Sequence, residues 1–297
     1  MPLAAQRVDA VLEDIFDDAD VEGFVHVRDI DTGVEFGRRA DDRVVLASVF
    51  KIPIALEYAR QAAAGLLDPA ARHTVAAVYR TGGSATGGCA YDVDMSIRDL
   101  AFMMMTISDN AATDLLLDIV GTDRVRALLD GLGCPEFGVS SCRALDDDIR
   151  RELGLAPGSS IDAQLAGVSA ERLMALGVND PARSPSSTPR EVTALLAGIW
   201  RDEAGPDPAC AEVRDLMSRQ VWQHRLVSGF PENGVRIAGK TGTDFAIRNE
   251  AGVVQYPDGK RYAVGVFLRS KRPTDRQPRA DRAIGRTARA VIDHLRS

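Results

Sequence analysis

Three short runs of this chain bring together nucleophile-type, base-type and anion-binding side chains that could serve one reaction. Ser48-Val49-Phe50-Lys51 opens an apolar stretch that reads as a helix from Ser48 through Ala64. Residues i and i+3 share a helix face, so Lys51 Nζ is expected within reach of Ser48 Oγ. A serine hydroxyl is a weak nucleophile until a neighbouring base takes its proton. A lysine whose pKa is lowered by burial or by nearby cations is such a base. Unpaired N–H groups at the helix N-terminus favour the negative charge that develops during attack. Ser108-Asp109-Asn110 interrupts apolar helical sequence 60 residues later, and Lys240-Thr241-Gly242-Thr243 ends an alternating run 132 residues beyond that. Singly, the first two runs have ordinary explanations: an N-cap serine with a surface lysine, and a capped connection between helices.

The third run also satisfies another pattern. Gly234 to Thr241 reads G-x-x-x-x-G-K-T, the phosphate-cradling P-loop. A P-loop follows a strand and opens a helix. Here the four intervening residues alternate like a strand and more strand follows, which argues against a nucleotide site.

Composition narrows the function classes. The chain has 297 residues, 45% hydrophobic and 27% charged, enough for one large enzyme domain or two lobes sharing a cleft. With 36 basic against 43 acidic residues the net charge is −7, which disfavours a nucleic-acid partner. No segment approaches the roughly 20 apolar residues of a membrane helix, so no membrane partner is expected. The N-terminal residues carry acids where a secretory signal would be apolar, which predicts a cytoplasmic chain, or a secreted one if a leader was removed. Cys89, Cys134, Cys142 and Cys210 are far apart, as expected of reduced, buried thiols. His26, His73, His224 and His294 are equally scattered, so neither a metal nor another cofactor is expected. From Arg269 to Ser297 there are nine Arg/Lys against three Asp, most simply a solvated helix face.

The elements that must position these runs follow from periodicity. Residues 5–17 place Val8, Val11, Leu12 and Ile15 on a helical stripe. Val21–Asp29 and Val34–Arg38 read as strands joined by a turn at Asp31-Thr32-Gly33. Gly65 stops the Ser48 helix. From about 66 to 219 the pattern is mostly helical. Within it, Arg98–Ile107 turns Leu100, Met103, Met104 and Ile107 to one face, and Ala111–Val120 ends at Gly121. Ala156–Ser187 reads as irregular, and Thr188-Pro189-Arg190-Glu191 as a capping box opening a helix to about 202. Val235–Thr243, Gly252–Tyr256 and Tyr262–Leu268 read as strands, with a turn at Pro257-Asp258-Gly259-Lys260 and a final helix over 279–296. Strands at both ends with helices between predict an α+β fold. A five-stranded antiparallel sheet, flanked by terminal helices, would come from 1–45 and 220–297. A helical lobe would span 46–219, with the active site between the two.

In the order S-x-x-K, S-D-N, K-T-G, the three runs resemble those of the penicillin-recognising serine enzymes, and class A β-lactamases most closely. The resemblance covers nearly the whole chain and includes the Thr188-Pro189 helix start. It implies Ser48 as the acylated nucleophile, Lys51 as its proton-handling partner, and Ser108 as a relay to the leaving nitrogen, helped by Lys240. It implies Asn110 on the substrate's side-chain amide and on Lys51. Thr241, Gly242 and Thr243 would line the substrate's carboxylate, with Arg248 as a candidate anchor, and the N–H groups of Ser48 and Thr243 would form the oxyanion hole.

The sequence departs from the family in three places. Class A enzymes carry a Glu-x-x-x-Asn pattern whose glutamate activates the hydrolytic water. Between Ala111 and Thr188 the glutamates Glu136, Glu152 and Glu171 are followed four residues later by Ser140, Ala156 and Ala175. Glu171 lies nearest the expected place and is the candidate deacylation base. The glycine-rich run Thr81–Gly88 lies on the side where the family's substrate enters, and reads as a flexible connection or as an opening for a different acyl donor. The N-terminal residues do not read as a secretory leader, whereas the family's enzymes normally act outside the cytoplasm. The expectation is therefore a serine hydrolase acting on a β-lactam or related small-molecule amide. The alternatives are an intracellular amidase, esterase or acyl transferase, or a slow penicillin-binding protein.

Overall fold

The computed structural model describes residues 3–80, 83, 85–159, 161, 165, 167–272, 274 and 276–297. Helix α1 (Leu3–Ala19) leads into strands β1 (Val21–Asp29) and β2 (Glu35–Arg38), then a two-residue strand β3 (Val44–Val45). A 3₁₀ turn (Ala47–Phe50) runs directly into α2 (Lys51–Ala63). There follow β4 (Arg72–Val75), β5 (Val93–Ser96), α3 (Ile97–Thr106), α4 (Asn110–Val120), α5 (Thr122–Gly131), α6 (Cys142–Leu153) and α7 (Ala170–Met174). Strand β6 (Ser186–Ser187), α8 (Pro189–Trp200), α9 (Asp207–Ser218), β7 (Arg236–Thr243), β8 (Ile247–Gln255), β9 (Arg261–Ser270) and α10 (Pro278–Arg296) complete the chain.

The main sheet is antiparallel throughout, in the order β2-β1-β9-β8-β7, so both chain ends contribute to it. Its side chains alternate with the strand period of two. On β9, Tyr262, Val264, Val266 and Leu268 join a core with α1 and α10, through Leu12, Ile15, Ile284 and Val291. Ala263 and Phe267 point the other way, into a core shared with α2, α8 and α9 through Ile54, Leu196 and Val213. Because both faces are covered, the central strands are buried almost continuously, unlike an antiparallel sheet with one wet face. Each fully buried Leu, Ile or Phe in these cores contributes about 1.5–3 kcal/mol.

The β1–β2 turn forms as the sequence predicts. Asp29 Oδ1 accepts from the N–H groups of Asp31 and Thr32, both at 2.9 Å, and Gly33 takes φ +76°. Gly65, at φ +68°, follows Ala64, the C-cap of α2. Other expectations need correction. Val11 is 46% exposed; the inward stripe of α1 is Val8, Leu12, Ile15 and Phe16. The segment 66–219 contains the small strand pair β4–β5 and the strand β6, which pairs with β3 outside it, and α7 lies inside the stretch expected to be irregular. Strand β8 begins at Ile247, five residues earlier than the alternation suggested. The capping box forms as expected: Thr188 Oγ1 accepts from Glu191 N (3.1 Å), and the Glu191 carboxylate accepts from the Thr188 backbone N–H as well as from Ser187 Oγ and Glu136 N. All four cysteines are free, and Cys89 is exposed rather than buried.

One glycine decides how sheet and helical lobe meet. A Cβ on Gly242 would lie 2.5 Å from the carbonyl oxygen of Leu46, so only glycine lets β7 run against the turn that carries Ser48.

Candidate active site

Ser48 sits in the 3₁₀ turn Ala47–Phe50, just before the N-terminus of α2, and lines a cavity of about 250 Å³. Ala47, immediately before it, adopts φ +44°, and Ser108 adopts φ +64°. Both are left-handed conformations that cost free energy outside glycine, and both flank or carry the chemistry-bearing hydroxyls.

Lys51 is fully buried. Its Nζ donates to Ser108 O (2.8 Å) and Asn110 Oδ1 (2.7 Å) and lies 3.2 Å from Ser108 Oγ. Among the described residues, no hydrogen bond joins Ser48 Oγ to Lys51 Nζ. The expected Ser48–Lys51 contact is therefore replaced by one from Lys51 to the Ser108–Asn110 run. Burial lowers the Lys51 pKa, opposed by Asp109, Asp114 and Asp146. Lys240, also fully buried, donates to Ser108 Oγ (3.0 Å) and Thr241 O (2.9 Å). Burial drives its pKa well below the usual lysine value, and the charges of Lys51 and Arg225 add to the effect. Ser108 Oγ thus lies between two amines whose charged forms are disfavoured.

The middle residue of the second run has a structural task. Asp109 Oδ1 accepts from Ala111 N (3.0 Å) and Ala112 N (3.2 Å), the N-cap of α4, while Oδ2 accepts from Thr86 N (3.0 Å) and Thr86 Oγ1 (2.6 Å). Capping and chemistry coexist in Ser108-Asp109-Asn110, with the flanking residues turned to the lysines. Asp109 also ties down the end of the glycine-rich run. Gly83 of that run lines the cavity, while Thr81, Gly82 and Ser84 lie outside the described residues.

The sequence profile of the Beta-lactamase enzyme family matches residues 5–295. The chain belongs to the beta-lactamase enzyme family. It is 30% identical over 307 residues to the beta-lactamase regulatory protein BlaB of Streptomyces cacaoi, with 96% of each chain covered. In structure it is similar to a beta-lactamase from Sphaerobacter thermophilus (TM-score 0.76, 21% identity, 97% and 95% of the two chains). It is equally similar to PBP-A (TM-score 0.76, 19% identity, 100% and 97% covered). These structural likenesses concern the fold.

Within this beta-lactamase-family fold two sequence expectations fail. Glu171 is exposed on α7 and is not among the residues lining the cavity, so it is not placed to act on an acyl group at Ser48. Arg248 is neither a surface arginine nor a wall of the cavity. It is buried, and its Nη1 donates to Asp244 O (2.6 Å) and Ile247 O (2.8 Å), bracing its own turn.

Three residues were missed. Arg225, buried before β7, donates from Nη2 to Thr243 Oγ1 (2.8 Å) and from Nη1 to Gly242 O and Asn249 O (both 2.9 Å). Its Nε reaches Asp281 Oδ1 at 2.8 Å. This planar fork fixes the end of Lys240-Thr241-Gly242-Thr243, which Gln220 braces on the other side by accepting from Thr241 N (2.6 Å). Asp146 on α6 and Asp244 after β7 line the same cavity as Ser48, Asn110 and Thr243. Asp244 is pushed up to about 7 by burial, with the Asp146 carboxylate adding to the shift. The acidic run Asp146-Asp147-Asp148 was the available signal, but an expectation framed around glutamate passes over it. Arg225→Lys, which keeps the charge and loses the fork, is expected to slow acylation by a carboxylate-bearing donor roughly tenfold, a lost charge-assisted hydrogen bond. A stopped-time mass measurement checks it.

Proposed function

We propose that this protein is a serine-acylating hydrolase that opens a β-lactam or related small-molecule amide through an acyl-enzyme at Ser48. The placement of Ser108 Oγ between Lys51 Nζ (3.2 Å) and Lys240 Nζ (3.0 Å), beside the cavity that Ser48 lines, carries this reading. A neutral Lys51 amine keeps two N–H donors for Ser108 O and Asn110 Oδ1, and its lone pair is left for a hydroxyl proton. Lys51 takes the Ser48 proton as Oγ bonds to the carbonyl carbon, and the C–N bond breaks. The same proton passes by way of Ser108 to the leaving nitrogen, so Lys51 ends neutral. The substrate carboxylate lies along Thr241 and Thr243, and its negative charge favours protonation of the buried Lys240 amine behind them. Hydrolysis of the ester then needs a base facing the acyl carbon. Asp146, on the cavity wall, takes the water proton; the ester bond breaks, Ser48 regains its proton, and the acid is released.

A second reading is favoured by the 30% identical relative, whose name describes a beta-lactamase regulatory protein. If Asp146 deacylates slowly, the acylated protein is the functional product and the protein is a β-lactam binder. Incubation with a chromogenic cephalosporin and a fluorescent penicillin, followed by intact mass, separates the two. Turnover supports the hydrolase, and a persistent adduct supports the binder. Ser48→Ala is expected to lose adduct and turnover together, by at least about 10³-fold. Retained adduct in Ser48→Ala would remove Ser48 as nucleophile.

A further inference from the structure

We infer that the cavity beside Ser48 selects acyl donors whose side chain carries an ammonium group, with the Asp244 carboxylate as its partner. The inference rests on Ser48 being the acylated residue and adds the substrate class. The buried acids nearby are matched to donors: Asp109 caps α4 and holds Thr86, and Asp114 accepts from Cys142 N (2.6 Å) and Arg143 N (2.9 Å). Glu250 takes Leu226 N (2.7 Å) and Gln220 Nε2 (2.8 Å). Asp244 differs. Its Oδ1 accepts one backbone N–H, from Phe245 at 2.9 Å, and among the described residues its carboxylate has no other hydrogen bond and no ion pair. The nearby Arg248 donates to the Asp244 carbonyl oxygen instead of the carboxylate.

Asp244 therefore presents an acid with no ion-pair partner among the described residues, opposed only through space by the charge of Arg248, to the space an acyl group on Ser48 must enter, past Asn110 and Thr243. Asp146 stands on the same wall and adds to the negative potential. Leu145, Ile149 and Phe245 supply apolar surface around the two acids. Cation at one end, hydrocarbon between and carboxylate at the Lys240 end describe a zwitterionic donor such as an aminoacyl group amide-linked to an amino acid. An ammonium at Asp244 favours the ionised carboxylate and relieves its repulsion with Asp146.

The test compares second-order acylation constants of the full chain, by intact mass, for three penicillins sharing one nucleus and one aryl side chain. Ampicillin carries an α-ammonium, benzylpenicillin an uncharged methylene, and carbenicillin an α-carboxylate. Ampicillin is expected to exceed benzylpenicillin by about ten- to a hundredfold, the size of a charge-assisted hydrogen bond, with carbenicillin slowest. In Asp244→Asn the ampicillin-to-benzylpenicillin ratio is expected to fall to about threefold or less. A benzylpenicillin constant equal to or above that of ampicillin in the unaltered protein overturns the inference and leaves Ser48 acylation standing. A ratio that survives in Asp244→Asn and collapses in Asp146→Asn overturns the assignment to Asp244. No adduct with any of the three overturns the acylation reading itself. The wild-type series stands whether or not the variants fold.

Discussion

Replacing Lys51 with methionine is expected to slow acylation of Ser48 by about 10²–10⁴-fold, the usual worth of a positioned general base. Methionine roughly keeps the side-chain volume in a fully buried position, so the loss reports chemistry more than a cavity. The pH dependence gives an independent readout. The neutral amine is the active form, so acylation falls as pH drops through the Lys51 pKa. Burial lowers that pKa and extends the active range toward neutrality. In Lys51→Met the acid limb attributable to this group should vanish from the rate profile. A variant that acylates within threefold of the parent, with the limb intact, would move the base role elsewhere.

The residues of this site differ in how far the linear chain announces them. Ser108 and Asn110 are two apart, so local geometry places that pair, whereas Lys51 and Ser48 share one turn but Lys51 Nζ turns to Ser108 and Asn110, a contact set only by the fold. Lys240, Thr241 and Thr243 lie on one alternating strand, and period two sends successive side chains to opposite faces. Arg225 is legible only after folding. It acts through the β7–β8 register, where Thr243 pairs with Arg248 and Gly242 with Asn249, and both Gly242 O and Asn249 O receive its guanidinium. Arg248 misled for the same reason. It is the cross-strand neighbour of Thr243, but its side chain turns back onto Asp244 O and Ile247 O. Residue type and order along the chain point to Glu171. What decides the matter is which helix reaches the cavity, and that is α6, fixed by Asp114 at its N-terminus.

Each lobe brings one lysine and one aspartate to this small space. Lys51 and Lys240 meet at Ser108, where burial disfavours charge on both, while Asp146 and Asp244 face the cavity from α6 and from the turn after β7. Such separation keeps the proton-accepting amine apart from the proton-accepting carboxylate. In the proposed mechanism it lets formation and breakdown of the acyl-enzyme be controlled by different residues.

Asp146→Asn tests that division of labour. Asparagine keeps the shape and removes the base, so an adduct should still form at Ser48 while its decay slows by roughly 10²–10⁴-fold. The measurement is adduct lifetime by intact mass after unreacted penicillin is removed, and Glu171→Gln serves as the comparison. The exposed position of Glu171 predicts an unchanged lifetime for that variant. If Asp146→Asn leaves the lifetime as it was, water is activated by some other group and the assignment of Asp146 fails. The absolute lifetime in the unaltered protein matters as much as the ratio. A decay of seconds makes the carboxylate a working catalyst and the protein a hydrolase. A decay of hours, little changed by the substitution, would mean that Asp146 does not activate water and that the acylated state is the end product.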